Sequence, residues 1–156
     1  MLKQLAASVS ILITATGTTF AAPIGSGEGD LVSKAVVELQ CALLLSNTTS
    51  DKTIDLEAEI ARLVRNAERD FRAGFSPLRD SLRSSDLGPL GPLMGSKSDD
   101  FWFGIYFQVA ARDISDFLDR KAPIDSGIPI ETRMQNLAFA ALDEFQHRNC
   151  RLIGRE

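Results

Sequence analysis

Apolar positions recur along the chain at intervals of three and four residues, and no useful stretch alternates residue by residue. That period is helical, so the chain is expected to be all-α. Asp30 can cap a first helix from Leu31 to about Ser46. Its main face carries Leu31, Val32, Ala35, Val36, Leu39, Ala42 and Leu43, and its other side carries Val37, Cys41, Leu44 and Leu45. A helix apolar nearly all round lies in the interior or in an interface. Thr53 is placed to cap a second helix, Ile54 to Phe75, with Asp55 and Glu57 in its first turn. Its narrow stripe of Leu56, Ile60, Leu63, Val64, Ala67, Phe71 and Phe75 opposes Arg62, Arg65, Asn66 and Arg69. Ser76-Pro77 is a helix-start pair and predicts a short extra helix to about Ser84.

Ser98, followed by Asp99 and Asp100, caps a third helix that runs to Lys121 and is stopped by Ala122-Pro123. It holds the only Trp, the only Tyr and four of the nine Phe of the chain. Its first half is apolar on every side, and Trp102, Tyr106, Val109, Ala110 and Phe117 fall together at 3.6 residues per turn. The other helices are therefore expected to pack around it. Pro129 can open a fourth helix, Ile130 to about Leu152, with Met134, Leu137, Ala138, Ala141, Leu142 and Phe145 as its core stripe. Between the second and third helices, Ser85 to Lys97 contains two Gly-Pro pairs that forbid regular structure. Its Leu87, Leu90, Leu93 and Met94 suit a loop packed over the core or acting as a lid, and Gly88 to Gly95 is its expected point of proteolysis. The expected architecture is a four-helix-bundle-like domain with one short extra helix and a long Gly/Pro loop.

The first residues add targeting to this picture. Lys3, the modestly apolar run Leu5 to Ile13 and the small residues up to Ala21 read as a secretory signal peptide, residues 1–21, cut after Ala21. Residues 22–29 form a flexible N-terminal lead. The glycines at 25, 27 and 29 follow no strand, so a phosphate-cradling loop is disfavoured. Residues 30–156 form a single helical domain, long enough for a real core. The location implied is secreted or extracellular, periplasmic in a bacterium. Cys41 and Cys150 are the only cysteines, and in a secreted chain they predict one disulfide between the first and last helices. Asn47-Thr48-Thr49 is an N-glycosylation acceptor by pattern in a eukaryotic source.

A net charge of −4 without any run of Lys or Arg disfavours nucleic acid, and no later segment is a membrane-span candidate. Candidate chemistry is sparse. His147, the only histidine, stands in one Glu144-x-x-His147 pair, whereas a carboxylate metal bundle uses two. Asp113 falls on the Trp102–Tyr106–Phe117 side of the third helix, where a buried carboxylate could anchor a ligand or pair with Arg69 or Arg133. Phe101 and Ile105 fall on the side that later carries Arg112, Asp116 and Asp119, and apolar residues on a polar side invite a partner. No catalytic set, metal site or cofactor motif emerges. The expectation is a secreted, non-enzymatic helical protein that binds a partner protein or an apolar small molecule through Phe101, Trp102, Ile105, Tyr106 and Asp113. A small enzyme with an acidic site at Asp113 or His147 is the second reading, and a structural homo-oligomer is the third.

Overall fold

The structure, a computed structural model, describes residues 27–48, 55–84, 92, 95–123 and 127–155; the expected signal peptide and most of the Gly-Pro stretch lie outside the described residues. It contains four helices, α1 (Gly27–Ser46), α2 (Leu56–Ser84), α3 (Asp99–Lys121) and α4 (Ile130–His147), and no strand among the described residues. Pairings along the helices give their directions. Lys34 meets Asp70, Phe75 meets Trp102, and Arg133 meets Asp119, so each helix runs antiparallel to the next. The topology is an up-down-up-down four-helix bundle.

Three helix boundaries differ from the sequence expectation, each for a local reason. α1 begins at Gly27, so it takes in the last three residues of the expected lead and has Asp30 inside its first turns. α2 is capped by Asp55, whose Oδ1 accepts from Ala58 N at 3.1 Å, and the expected cap Thr53 lies outside the described residues. It then runs unbroken through Pro77, so the short extra helix is the continuation of α2. Pro77 is exposed, as is Ala73, whose carbonyl the missing proline N–H would have met, so water can serve it. Ser76 Oγ donates to Arg72 O at 3.0 Å in the same turn. α4 ends at His147 instead of near Leu152, because Asn149 turns the chain with φ 53.

The centre of the bundle is α1, not the aromatic helix. Both α1 and α3 touch all three other helices, and α2 and α4 are not neighbours, but α1 buries eight side chains along its length where α3 buries only Ala110, Ile114 and Leu118. Small side chains explain this: Ala35 and Ala42 of α1 and Ala110 of α3 are buried and let these two backbones close across the diagonal. Large rings between α2 and α3 hold that pair further apart. One buried cluster gathers Val32, Ala35, Leu39, Ala67, Phe71, Phe75 and Ala110 at the aromatic end. The other gathers Leu44, Leu45, Leu63, Ile114, Leu118, Ala141 and Phe145 around the two cysteines. Leu43 packs against both. Each large apolar side chain so buried contributes roughly 1.5–3 kcal/mol. Cys41 and Cys150 stand at disulfide distance, with Cα atoms 5.6 Å apart and both side chains buried, as the even cysteine count predicts.

Two residues assigned to the core from the helical period lie outside it. Val109 is 50% exposed and Met134 is 56% exposed. Val109 sits four residues after Ile105 and follows that residue to the outer side of α3. Met134 lies one turn before Ala138, the first fully buried residue of α4, so its turn extends past the buried clusters.

Candidate functional site

The candidate site is built on α3, and the start of this helix is fixed in four ways. Phe101 N donates to Ser98 Oγ at 3.2 Å, the cap that the sequence predicts. Arg79 of α2 pairs with Asp99, and Arg72 Nη2 donates to Asp100 Oδ1 at 2.7 Å. Ser76 Oγ lies 3.5 Å from Asp99 Oδ2, close enough to share its single proton between that carboxylate and Arg72 O. The two acids also complement the positive end of the helix dipole.

The aromatic residues then divide between two sides. Trp102, Phe103 and Tyr106 turn inward onto α2. The Trp102 and Phe75 ring centroids are 5.5 Å apart, those of Phe103 and Phe71 5.5 Å, and those of Tyr106 and Phe71 5.2 Å. Phe71 and Phe75 stack on each other at 4.9 Å. These offset and tilted contacts are the favourable ring geometries. Burial pushes the Tyr106 phenol above its ordinary value of 10.0, so it stays neutral at physiological pH. Phe101 and Ile105 face outward and are 46% and 43% exposed, with the Phe101 ring meeting Trp102 edge-on at a centroid distance of 5.5 Å. With Val109 they form an i, i+4, i+8 apolar stripe on the side of α3 away from the bundle. Phe107 is also exposed, and Gly104 has open space where a side chain would stand. Lys97 Nζ lies 5.5 Å from the centre of the Phe101 ring. Further along, the stripe gives way to Arg112 and Asp116, 3.9 Å apart.

Asp113 does not join this surface as a buried acid. It is exposed, and its partner is neither Arg69 nor Arg133. Gln40 Nε2 donates to Asp113 Oδ2 at 3.3 Å, Arg148 Nη1 donates to Gln40 Oε1 at 2.9 Å, and Arg148 Nε donates to Glu144 Oε1 at 2.6 Å. Asp113 is thus one end of a polar chain that links α3, α1 and the end of α4. Glu144 belongs to the same chain, while His147 is exposed and belongs to no metal-ligand cluster among the described residues. Asn47 is exposed, and its Nδ2 donates to Leu43 O at 2.8 Å. A groove of about 290 Å³ lies between α1, α3 and α4, lined by Leu43, Asn47, Ala111, Ser115, Asp119 and Leu137 among others. None of the predicted site residues Phe101, Trp102, Ile105, Tyr106, Asp113 or His147 lines it.

Sequence reasoning missed the buried acids. Glu38 is fully buried in α1, and neither of its carboxylate oxygens has a hydrogen-bond partner among the described residues. Burial, reinforced by the charge of Asp70, raises its carboxyl from 4.5 to about 7. Asp70 is also buried, but Arg69 Nε at 2.7 Å and Lys34 Nζ at 3.2 Å surround it. Burial raises the Asp70 carboxyl, and these two cations outweigh that and bring it below its ordinary value. Glu59 is held below its ordinary value first by hydrogen bonds from Arg62, at 2.8 and 2.9 Å. A signal was present: Glu38 is flanked by Val37 and Leu39 and shares its helix side with Ala35, Cys41 and Ala42, and Asp70 lies beside Ala67 and Phe71 in the stripe of α2.

No protein-family model, curated protein or solved structure matches the chain.

Proposed function

We propose that the chain is a secreted, non-enzymatic binding protein that engages a partner protein through the outer stripe of α3. The observation that carries this is the division of the aromatic helix into two faces. Its inner rings are used in the core, and Phe101, Ile105 and Val109 stand exposed together on the opposite side. Such a stripe on an ordered helix suits helix-in-groove or helix-on-surface docking. A partner protein is favoured over an apolar small molecule because Trp102 and Tyr106 pack on Phe75 and Phe71 and do not surround a cavity. The enzyme reading loses support, since Asp113 is engaged in a structural chain and His147 stands apart from any acidic cluster among the described residues. Secretion is supported by the leader-like first 21 residues, by the paired cysteines and by the absence of any described helix long and apolar enough to cross a membrane.

The test is a Phe101→Ala/Ile105→Ala variant. Its fold is checked by circular dichroism and by Trp102 emission. Two exposed apolar side chains of this size are expected to carry at least a tenfold share of partner affinity. Equal binding of the partner by the folded variant refutes the assignment. Sedimentation of the wild type provides the second arm: a dimer that the variant dissolves turns the same stripe into a self-association surface.

A further inference from the structure

Glu38 presents a problem that the rest of the fold does not solve. An ionised carboxylate taken out of water without a donor is strongly disfavoured, so it either finds a partner or keeps its proton. Its surroundings come from three elements. Lys34 faces it from α1, while Asp70, Arg69 and Arg62 face it from α2. The third element is the segment after Cys150. A Cβ on Gly154 would fall 2.6 Å from Glu38 Oε1 and closer still to Asn66 Nδ2, so only glycine fits there, and φ +67 confirms the need for it. The cations do not hydrogen-bond Glu38: Arg62 donates to Ile153 O at 2.7 Å, and both Arg62 and Arg155 are directed to Glu59. Lys34 and Arg69 serve Asp70.

We propose that residues 151–155 form a pH-sensitive strap, which lies closed over Glu38 while that carboxyl carries its proton and lifts when the proton leaves. Ionisation can be relieved only by admitting water or a cation, and the elements around Glu38 differ in how easily they yield. α1 and α2 are joined by two buried apolar clusters. The strap is held by Arg62 to Ile153 O, Asn66 Nδ2 to Gly154 O at 2.9 Å and Arg155 to Glu59 at 3.3 Å, and by one apolar side chain, Ile153, which packs partly buried on the cluster around the cysteines. The Cys41–Cys150 bridge pins its near end, so the motion pivots there and leaves the bundle intact. Lifting frees Arg62 from Ile153 O and opens Glu38 to water. The near-neutral carboxyl value of about 7 puts the transition in the physiological range.

The experiment uses the oxidised chain and trypsin. Cleavage after Arg151 is followed from pH 6 to 8.5, and each rate is divided by that of Glu38→Gln at the same pH, which cancels the protease's own pH dependence. Native-state cleavage tracks the population of the open form. A carboxyl near 7 when covered and at its ordinary value when open predicts a rise in the ratio of about tenfold. Cleavage after Arg65 of α2 reports global opening, which linkage raises by the same factor but from a much smaller open population, so Arg151 is expected to be cut well before Arg65 at every pH. A constant Arg151 ratio overturns the proposal, and so does cleavage after Arg151 that is no faster than cleavage after Arg65. If Glu38→Gln does not fold, Glu38→Met supplies the reference.

Discussion

Replacing Glu38 with glutamine should make the protein more stable at alkaline pH and leave it nearly unchanged at acid pH. In the native state the carboxyl sits at about 7, against 4.5 when unperturbed. A raised carboxyl means that the native state binds more protons than the unfolded state between these values, so stability falls as pH rises through them. Below about 4.5 both states are protonated and nothing is lost. Above 7 the loss is complete and amounts to at most about 3 kcal/mol. Asp70 and Glu59 act in the opposite sense. Their native values are lowered, so their stabilisation is present above their unperturbed 3.8 and 4.5 and is lost on acidification. The two trends together place the stability maximum near pH 5, which is acid for a folded domain.

The assay is urea unfolding followed by Trp102 emission at pH 5 and pH 8, with the disulfide intact. The wild type should lose up to about 3 kcal/mol between the two, and Glu38→Gln should lose little. The variant also subtracts any part played by His147, the only histidine. A wild type as stable at pH 8 as at pH 5 refutes the reasoning, as does a variant with the same slope. A strap that lifts at a lower free-energy cost caps the loss at that cost. A wild-type plateau well under 3 kcal/mol, together with a flat variant, therefore measures the closing energy of residues 151–155.

Three further outcomes are expected. Phe71→Ala removes a fully buried ring that touches Phe75, Phe103 and Tyr106, and should cost about 3–5 kcal/mol by urea titration, whereas Phe101→Ala should stay within about 0.5 kcal/mol. Reduction of Cys41–Cys150, which closes a loop with a sequence separation of 109, should lower stability by up to roughly 4–5 kcal/mol in the chain-entropy model; non-reducing intact mass should show no free thiol and no covalent dimer. Asp55→Ala removes the observed cap of α2 and should cost about 1 kcal/mol, a loss absent from Thr53→Ala if Asp55 alone serves that role.

The helical class, the four principal helices, the Ser98 cap and the cysteine pairing were all legible in the sequence, because each depends on local period or on counting. What the period could not give was which apolar helix sits in the middle. Both α1 and α3 are apolar on most sides, and the difference lies in side-chain size. The alanines of α1 and its leucines let neighbours close in on several sides, whereas the rings of α3 fill one wide interface and leave the surplus outside. The same limit misplaced Asp113, which was assigned to the inner side from its angle on the wheel. It lies at the edge of that side, where a long glutamine from α1 reaches it in the open. Pro77 misled for a different reason: a proline ends a helix only where its lost hydrogen bond cannot be replaced, and on an exposed turn water replaces it.

The stiffness of α3 is what makes its outer stripe useful for binding. Ordering a flexible segment at an interface consumes part of the free energy that its contacts release. On α3 that ordering is complete before any partner arrives. Ser98, Arg72 and Arg79 hold its first turn, and Trp102, Phe103 and Tyr106 lock the next two turns against Phe71 and Phe75. Phe101 and Ile105 alternate with these locked residues, so their backbone cannot rotate without breaking ring contacts on the other side. The aromatic excess of this helix is thus divided between a set that fixes the helix and a set that the fixed helix displays. Loosening the inner set should weaken binding through the outer one: Phe75→Leu removes the ring under Trp102, on whose edge Phe101 rests, and is expected to lower partner affinity although Phe101 and Ile105 are themselves unchanged in sequence. Affinity unchanged in the folded Phe75→Leu protein would show that the stripe does not depend on the rings beneath it.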